Sequence, residues 1–268
     1  MGTLAHKLAT ALEVRRTYLN WPRWFLSYYQ MSSSVPETEI RVRGAAFRAP
    51  NHTESWGIAD QIWRERVYTR HFPILDGDRV LDVGAHFGFF SIFAACQGLR
   101  VSIVAYEPAR ESFAFLQRNV ERNGRTRQIR AVNAGLSDVA GNLTLYKQKH
   151  HHASSTLIQE NLPQPLSAVE EEEVRAEAAA HVWAACPRYE FAKFDCEGAE
   201  YPIFGALGED LSRFRYVVVE YHRDPAELKE ILGGSRFVIV EDLPLPVAPW
   251  SAFPSMGILY ARNLGNWE

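Results

Sequence analysis

With 268 residues, 47% of them hydrophobic and 23% charged, the chain is long enough for one substantial core plus an extension. A formal charge of -3 without a concentrated basic stripe argues against nucleic acid as a principal partner, because neutralising phosphates takes clustered Lys and Arg. Cys96, Cys186 and Cys196 lack paired metal-ligand spacing, and no apolar run approaches the roughly 20 residues that cross a bilayer, so a reducing, cytoplasmic setting with no transmembrane segment is expected.

Leu4, Leu8, Leu12, Trp21, Trp24, Phe25 and Tyr28 recur at helical spacing with an interruption at Pro22, which predicts two short N-terminal helices. Their aromatic face is expected to pack on the rest of the chain or on a second copy, which makes a homodimer one candidate assembly. A substrate lid or a membrane-surface helix is the alternative. Ser32 to Pro36 reads as a linker and Ile40 to Val42 as a short strand. Residues 1–75 are thus taken as an extension and 76–262 as the main domain, with an insertion near 148–186.

From Asp76 onward strands and helices alternate. Strands are expected at Arg79 to Val83, Val101 to Tyr106 and Ile129 to Asn133, with helices from Gly88 and from Arg110 between them. A hairpin arm near Leu143 to Tyr146 follows, and then strands at Phe191 to Phe194 and Tyr216 to Glu220. Phe237 to Val240 and Ile258 to Tyr260 close the sheet, the last strand antiparallel. The fold class is therefore α/β, a mostly parallel, doubly wound, Rossmann-like sheet. His150 to Glu173 is the least regular stretch and a candidate substrate loop, carrying His150, His151, His152, Pro163 and Pro165. Glu170 to Glu173 gather where a following helix from Val174 would favour acids through its dipole.

The run from Val80 to Ser91 leads an apolar strand through an acid-glycine turn into an apolar helix. Gly84 permits the tight turn and Gly88 lets the following helix approach the strand. A dinucleotide turn needs glycine at its third and sixth positions, where this chain has His86 and Phe89. An acid, Asp82, just before the first glycine suits a cationic ligand such as S-adenosylmethionine. At the tip of the next strand Glu107-Pro108 offers a ribose clamp, each charge-assisted bond to a ribose hydroxyl contributing about 1.5–3 kcal/mol. The plainer reading of Glu107 is a cap for the helix from Ala109 to Asn123.

In an open α/β sheet the ligand lies beyond the carboxyl ends of the strands. Four strand ends deliver Asp82, Glu107, the run Asp195 to Glu200, and Glu220-Tyr221-His222 to that edge. Glu197 and Glu200 would share one helix face, and Asp195 would cap that helix or line the donor pocket. His222 has the ordinary pKa nearest neutrality and is offered as general base; its alternative role is scaffold, bonded to Glu220 or Glu200. Lys193 is placed to pair with Asp195 or Glu220. The same acids with His222 can hold a divalent cation, a reading not favoured over metal-free chemistry.

Asp82 to Gly88, then Glu107-Pro108, then Lys193-Phe194-Asp195-Cys196-Glu197-Gly198-Ala199-Glu200, then Glu220-Tyr221-His222, together resemble the FkbM family of S-adenosylmethionine-dependent methyltransferases. The resemblance runs from roughly Asp76 to His222, and Asn133 to Asp138 is similar to the family's segment beside the adenine. It implies a class I methyltransferase fold with a seven-stranded sheet. It also implies O-methylation of a hydroxyl on a small natural product, sugar or lipid-like acceptor, with S-adenosylhomocysteine as product. His86 departs from the Asn common in the family. These readings nominate Asp82, Gly84, His86, Gly88, Phe89, Ser91, Glu107, Pro108, Leu136, Ser137 and Asp195 for the cofactor, and His222, Glu200 and Asp195 for catalysis. Two other functions remain open: a non-catalytic S-adenosylmethionine-binding partner protein, and a nicotinamide-dependent oxidoreductase, which the missing glycines disfavour.

Overall fold

The structure, a computed structural model, describes residues 4–28, 35–148, 151–158, 169–247, 253–265 and 267. An N-terminal segment holds α1 (Leu4–Thr17), α2 (Trp21–Tyr28), the antiparallel pair β1 (Glu37–Val42) and β2 (Ala45–Pro50), and α3 (Thr53–Trp63). Next come β3 (Arg79–Val83), α4 (Phe89–Ala95), β4 (Ser102–Tyr106), α5 (Arg110–Arg122) and β5 (Ile129–Val132). The middle of the chain forms β6 (Gly135–Ser137), β7 (Gly141–Gln148), β8 (His151–Thr156), β9 (Val169–Ala178) and the short α6 (Val182–Ala185). The last third supplies β10 (Tyr189–Phe194), α7 (Glu200–Leu207), β11 (Phe214–Tyr221), α8 (Ala226–Gly234), β12 (Phe237–Leu245) and β13 (Met256–Asn263).

A strand that is apolar on both faces must be covered on both faces, and β3 accordingly lies inside the main sheet. Its order is β12-β13-β11-β10-β3-β4-β5, with β11, β10, β3, β4 and β5 parallel and β13 antiparallel to both its neighbours. This is the class I methyltransferase arrangement expected from the sequence. Alternation along the strands assigns the two faces. Leu81, Val83, Ala192, Phe194, Val217 and Val219 join Phe204, Leu228 and Leu232 in one buried cluster. Val80, Phe191 and Val218 join Phe90 and Phe93 in the other. By the same period of two, Asp82, Lys193 and Glu220 belong to the second face.

That second face is closed by the N-terminal segment: Tyr18, Trp24, Phe47, Trp56 and Tyr68 are buried in the same cluster as Val80 and Phe191. Two asparagines of the α5 region clamp β2 in place. Asn119 Nδ2 donates to the carbonyls of Arg48 (3.0 Å) and Phe87 (2.8 Å), and its Oδ1 accepts the Arg48 N–H at 2.7 Å. Asn123 accepts the Ala46 N–H at 2.9 Å and donates to the Ala46 carbonyl at 2.8 Å.

Three expectations change. Residues 169–178 are a strand, not acids leading into a helix: Val174 and Ala176 alternate inward, β9 pairs antiparallel with β7, and Glu172 meets Lys147 across the pair at 3.1 Å. Cross-strand charge pairing and alternation outweigh the helical reading of the acidic run. The N-terminal helices break before Pro22, where residues 17–19 bond to the end of β1 through the Leu19 N–H to the Arg41 carbonyl at 2.7 Å and the Arg43 N–H to the Thr17 carbonyl at 3.0 Å. Pro22 then sits in the first turn of α2, where its missing N–H costs nothing. Gly88 faces the next helix, α5, rather than its own strand, since a Cβ there would meet Leu116 Cδ1 at 2.7 Å. Ser32 to Ser34, His150, Pro163 and Pro165 lie outside the described residues, as do the side chains of Leu4, His151 and His152. No described helix is long and apolar enough to cross a membrane.

Asn119→Ala should strand polar groups of Arg48 and Phe87 and lower stability by about 1–3 kcal/mol, read as a shifted midpoint in chemical denaturation. An unchanged midpoint would show that the clamp contributes nothing.

Candidate functional site

The turn after β3 is fixed by its own backbone. The N–H groups of Gly84 and Ala85 donate to the Tyr106 carbonyl at 3.0 and 2.9 Å, tying the ends of β3 and β4 together. Gly84 and His86 both have left-handed backbone, φ 79° and 52°. At Gly84 glycine is required twice over, because a Cβ would lie 1.8 Å from the Asp195 carbonyl oxygen. The His86 N–H donates to Glu107 Oε2 at 2.8 Å, and the Ala109 N–H donates to Oε1 at 2.9 Å. Glu107 therefore does cap the chain entering α5, and it also faces the cavity. Burial pushes its carboxyl up to about 7 against the pull of those two N–H donors.

Register explains the ion pair beneath the turn. Lys193 on β10 stands directly beside Asp82 on β3. The ammonium donates to the Gly84 carbonyl at 2.8 Å and lies 3.3 Å from Asp82 Oδ1 and 3.5 Å from Asp195 Oδ2. Burial opposes that charge, but the Asp82 and Asp195 carboxylates outweigh it and hold the lysine pKa above its ordinary value. Asp82 Oδ2 accepts the Ser91 hydroxyl at 2.6 Å. Asp82 and Ser91 are fully buried and serve the turn from below.

A cavity of about 280 Å³ opens over these strand ends. Gly84, His86, Phe89, Glu107, Pro108 and Leu136 line one part, and Lys193, Asp195, Glu197, Glu220 and Tyr68 another, with Ile58, Gln61 and Ile62 of α3 as wall. Of the nominated cofactor residues, Asp82, Gly88, Ser91 and Ser137 do not line it; the Ser137 hydroxyl bonds Asp138 Oδ1 at 2.8 Å.

Tyr68, from the short helical turn Val67–Thr69, was not foreseen. Its hydroxyl lies 2.9 Å from both Asp195 Oδ2 and Glu220 Oε2. One phenol proton cannot be donated to two ionised carboxylates, so a second proton is needed, and the titrations divide accordingly. Burial and the nearby Asp195 raise Glu220 to about 7, whereas Lys193 and His222 overcome burial and keep Asp195 below its usual range. Glu197, held at φ 54°, is raised by burial to about 8 even with His222 opposing.

The expected catalytic pair sits behind this wall. Glu200 is 0% and His222 1% exposed, and neither lines the cavity. Glu200 Oε1 accepts the Cys196 N–H at 2.8 Å and faces His222 Nδ1 at 3.2 Å, while His222 Nε2 is 3.6 Å from Glu197 Oε2. Burial lowers a histidine pKa, but Glu197 and Glu200 prevail and raise it well above 6.5, so the ring carries its proton at neutral pH. Its bond to Glu200 and its place behind the wall are the scaffold arrangement named as the alternative for His222. Besides Glu107, the described carboxylates that reach the cavity are Asp195, Glu197 and Glu220.

Residues 82–241 match the methyltransferase FkbM domain family. Over 113 residues the chain is 36% identical to 31-O-demethyl-FK506 methyltransferase FkbM of Streptomyces tacrolimicus, covering 41% of this chain and 42% of that one. Over 96 residues it is 32% identical to methyltransferase sdnD of Sordaria araneosa, 36% of each chain. The match thus spans less than half the length of both relatives. Among solved structures, M. capricolum TrmK in complex with S-adenosyl-homocysteine is similar at 9% identity and a TM-score of 0.47, over 75% of this chain and 67% of that one.

Two outcomes test the site. Lys193→Met should cost about 3–5 kcal/mol by leaving Asp82 unpaired in the core, read by chemical denaturation. The raised carboxyls of Glu107, Glu197 and Glu220 keep protons that the unfolded chain has released, and His222 keeps its proton above 6.5. Folded chain then binds more protons than unfolded chain, so stability falls as pH rises from about 4.5 through about 8. Thermal melts of the ligand-free protein should drop steadily between about pH 5.5 and pH 8.5; a rising melting temperature would contradict the assignment.

Proposed function

The chain belongs to the methyltransferase FkbM domain family, and on that premise we propose that it transfers the methyl group of S-adenosylmethionine to a hydroxyl oxygen of a small-molecule acceptor. The observation that carries the reading is the single cavity on which the glycine turn, Glu107 and three carboxylates converge. In this reading the ribose hydroxyls bond Glu107, whose oxygens each hold one backbone N–H and keep a further lone pair for a hydroxyl donor. The adenine lies by Pro108 and Leu136, and the methionine end by the turn 84–86. A net acidic floor suits a donor that carries a sulfonium and an ammonium group.

Transfer is a displacement at the methyl carbon. The acceptor oxygen forms the new C–O bond, the C–S bond breaks with its electrons passing to sulfur, and neutral S-adenosylhomocysteine leaves. Positioning oxygen, carbon and sulfur in line is the main task and can supply several kcal/mol, of order 7–11 in well-oriented cases. The hydroxyl proton needs an acceptor. Glu197 faces the cavity and in this reading accepts that proton; because burial raises its carboxyl to about 8, only the ionised fraction acts, and that fraction grows as pH rises toward 8. Oxygen as the acceptor atom is supported by the relative named for 31-O-demethyl-FK506. The apolar wall of Ile58, Ile62, Leu145 and Leu157 suits an acceptor with a largely hydrocarbon body.

Calorimetric titration should give binding of both S-adenosylmethionine and S-adenosylhomocysteine, and Glu107→Ala should weaken it roughly 10-fold to 100-fold. Folded protein that binds neither would remove the reading. Glu197→Gln should retain donor affinity and lower turnover by about 10² or more; full turnover in that variant would exclude Glu197 as base.

A further inference from the structure

We propose that Asp195, Glu220 and His222 form the binding site of one divalent cation at the floor of the cavity. One ligand atom from each lies within 4.8 Å of the others. Donors about 2.1–2.5 Å from a common centre are up to about 4–5 Å apart, so the three atoms fit around one ion.

His222 supplies the second line of argument. Its Nδ1 is engaged by Glu200 Oε1 at 3.2 Å, which fixes the ring, while Nε2 is buried and makes no hydrogen bond. Glu197 Oε2, at 3.6 Å from Nε2, is beyond hydrogen-bonding distance. An imidazole oriented by a carboxylate through one nitrogen, with the other directed among carboxylates, is the arrangement of a metal-ligating histidine and its supporting acid. Tyr68 adds a third element. By bonding Oδ2 of Asp195 and Oε2 of Glu220 it holds the two carboxylates side by side.

One imidazole and two carboxylates suit an ion between the hard and soft extremes, and Mn²⁺ is the natural probe. The ion's role rests on the methyltransferase reading: it would bind the acceptor hydroxyl and lower its pKa, so that the proton passes to Glu197, outside the ligand set, in its ionised form. Binding of the ion itself does not depend on that reading.

Chelator-treated full chain would be titrated with Mn²⁺ while the electron paramagnetic resonance signal of the free ion is followed. One bound ion per chain, displaced by Mg²⁺ or Zn²⁺, is expected. Glu220→Gln and His222→Gln should each weaken it at least tenfold, with Glu241→Gln, outside the cluster, binding as the parent does. Circular dichroism melts certify folding, and Glu220→Gln alone decides if the histidine variant fails to fold. Mn²⁺ left free by folded parent protein, or bound equally by Glu220→Gln, would overturn the site. Calorimetry with S-adenosylhomocysteine on the same samples keeps the two readings separate, since donor binding without Mn²⁺ binding overturns the ion alone.

Discussion

A single buried ammonium group holds the strand ends together. Lys193 Nζ touches the Gly84 carbonyl, Asp82 and Asp195, and so spans the turn after β3 and the end of β10. Without it, two carboxylates would face each other across adjacent parallel strands in a dry interior, and one would have to be neutral. With it, the backbones close to a distance that excludes even a methyl group at Gly84. The cost of burying three charges is offset only because every one of them has a partner of the right sign or a hydrogen bond, Ser91 included. The result is a close-packed base under the cavity.

Around that base the acids fall into distinct electrostatic roles. Lys193 keeps Asp195 ionised against burial, whereas for Glu220 and Glu197 burial prevails over the nearby cations and raises their carboxyls to about 7 and about 8. Residues of one chemical type, a few ångströms apart, are separated by how far an adjacent cation offsets burial. His222, between Glu197 and Glu200, sits behind these acids and is held by Glu200 through Nδ1.

Much of the architecture was legible because strands buried on both faces leave continuous apolar runs, and because a glycine that must accept left-handed backbone stands out between strand and helix. Glu107 was legible for the same reason, as an acid immediately after such a run. The catalytic assignment was harder to read. Glu197 and Glu200 differ by three positions and look equivalent on a helix, but the helix begins only at Glu200, and the left-handed turn at Glu197 sends that side chain into the cavity while Glu200 is buried behind it. Tyr68 gave no signal at all: a lone tyrosine in Trp63-Arg64-Glu65-Arg66-Val67-Tyr68 has neither periodicity nor motif, and its importance is created by contacts 127 and 152 residues away. The acidic strand 169–178 misled for a related reason, its charges being matched by Lys147 and Arg110 on other segments.

The stretch shared with the family, 82–241, contains every carboxylate of the floor but neither the phenol that spaces two of them nor the antiparallel strand β13 that flanks β11. A protein trimmed to its recognisable portion would inherit the reactive groups without the parts that hold them in register. Swapping segments between relatives at the edges of that portion would therefore exchange more than peripheral decoration: the acids of the cavity floor would travel with the motifs, while their spacing would be inherited from whichever parent contributed the anonymous N-terminal third.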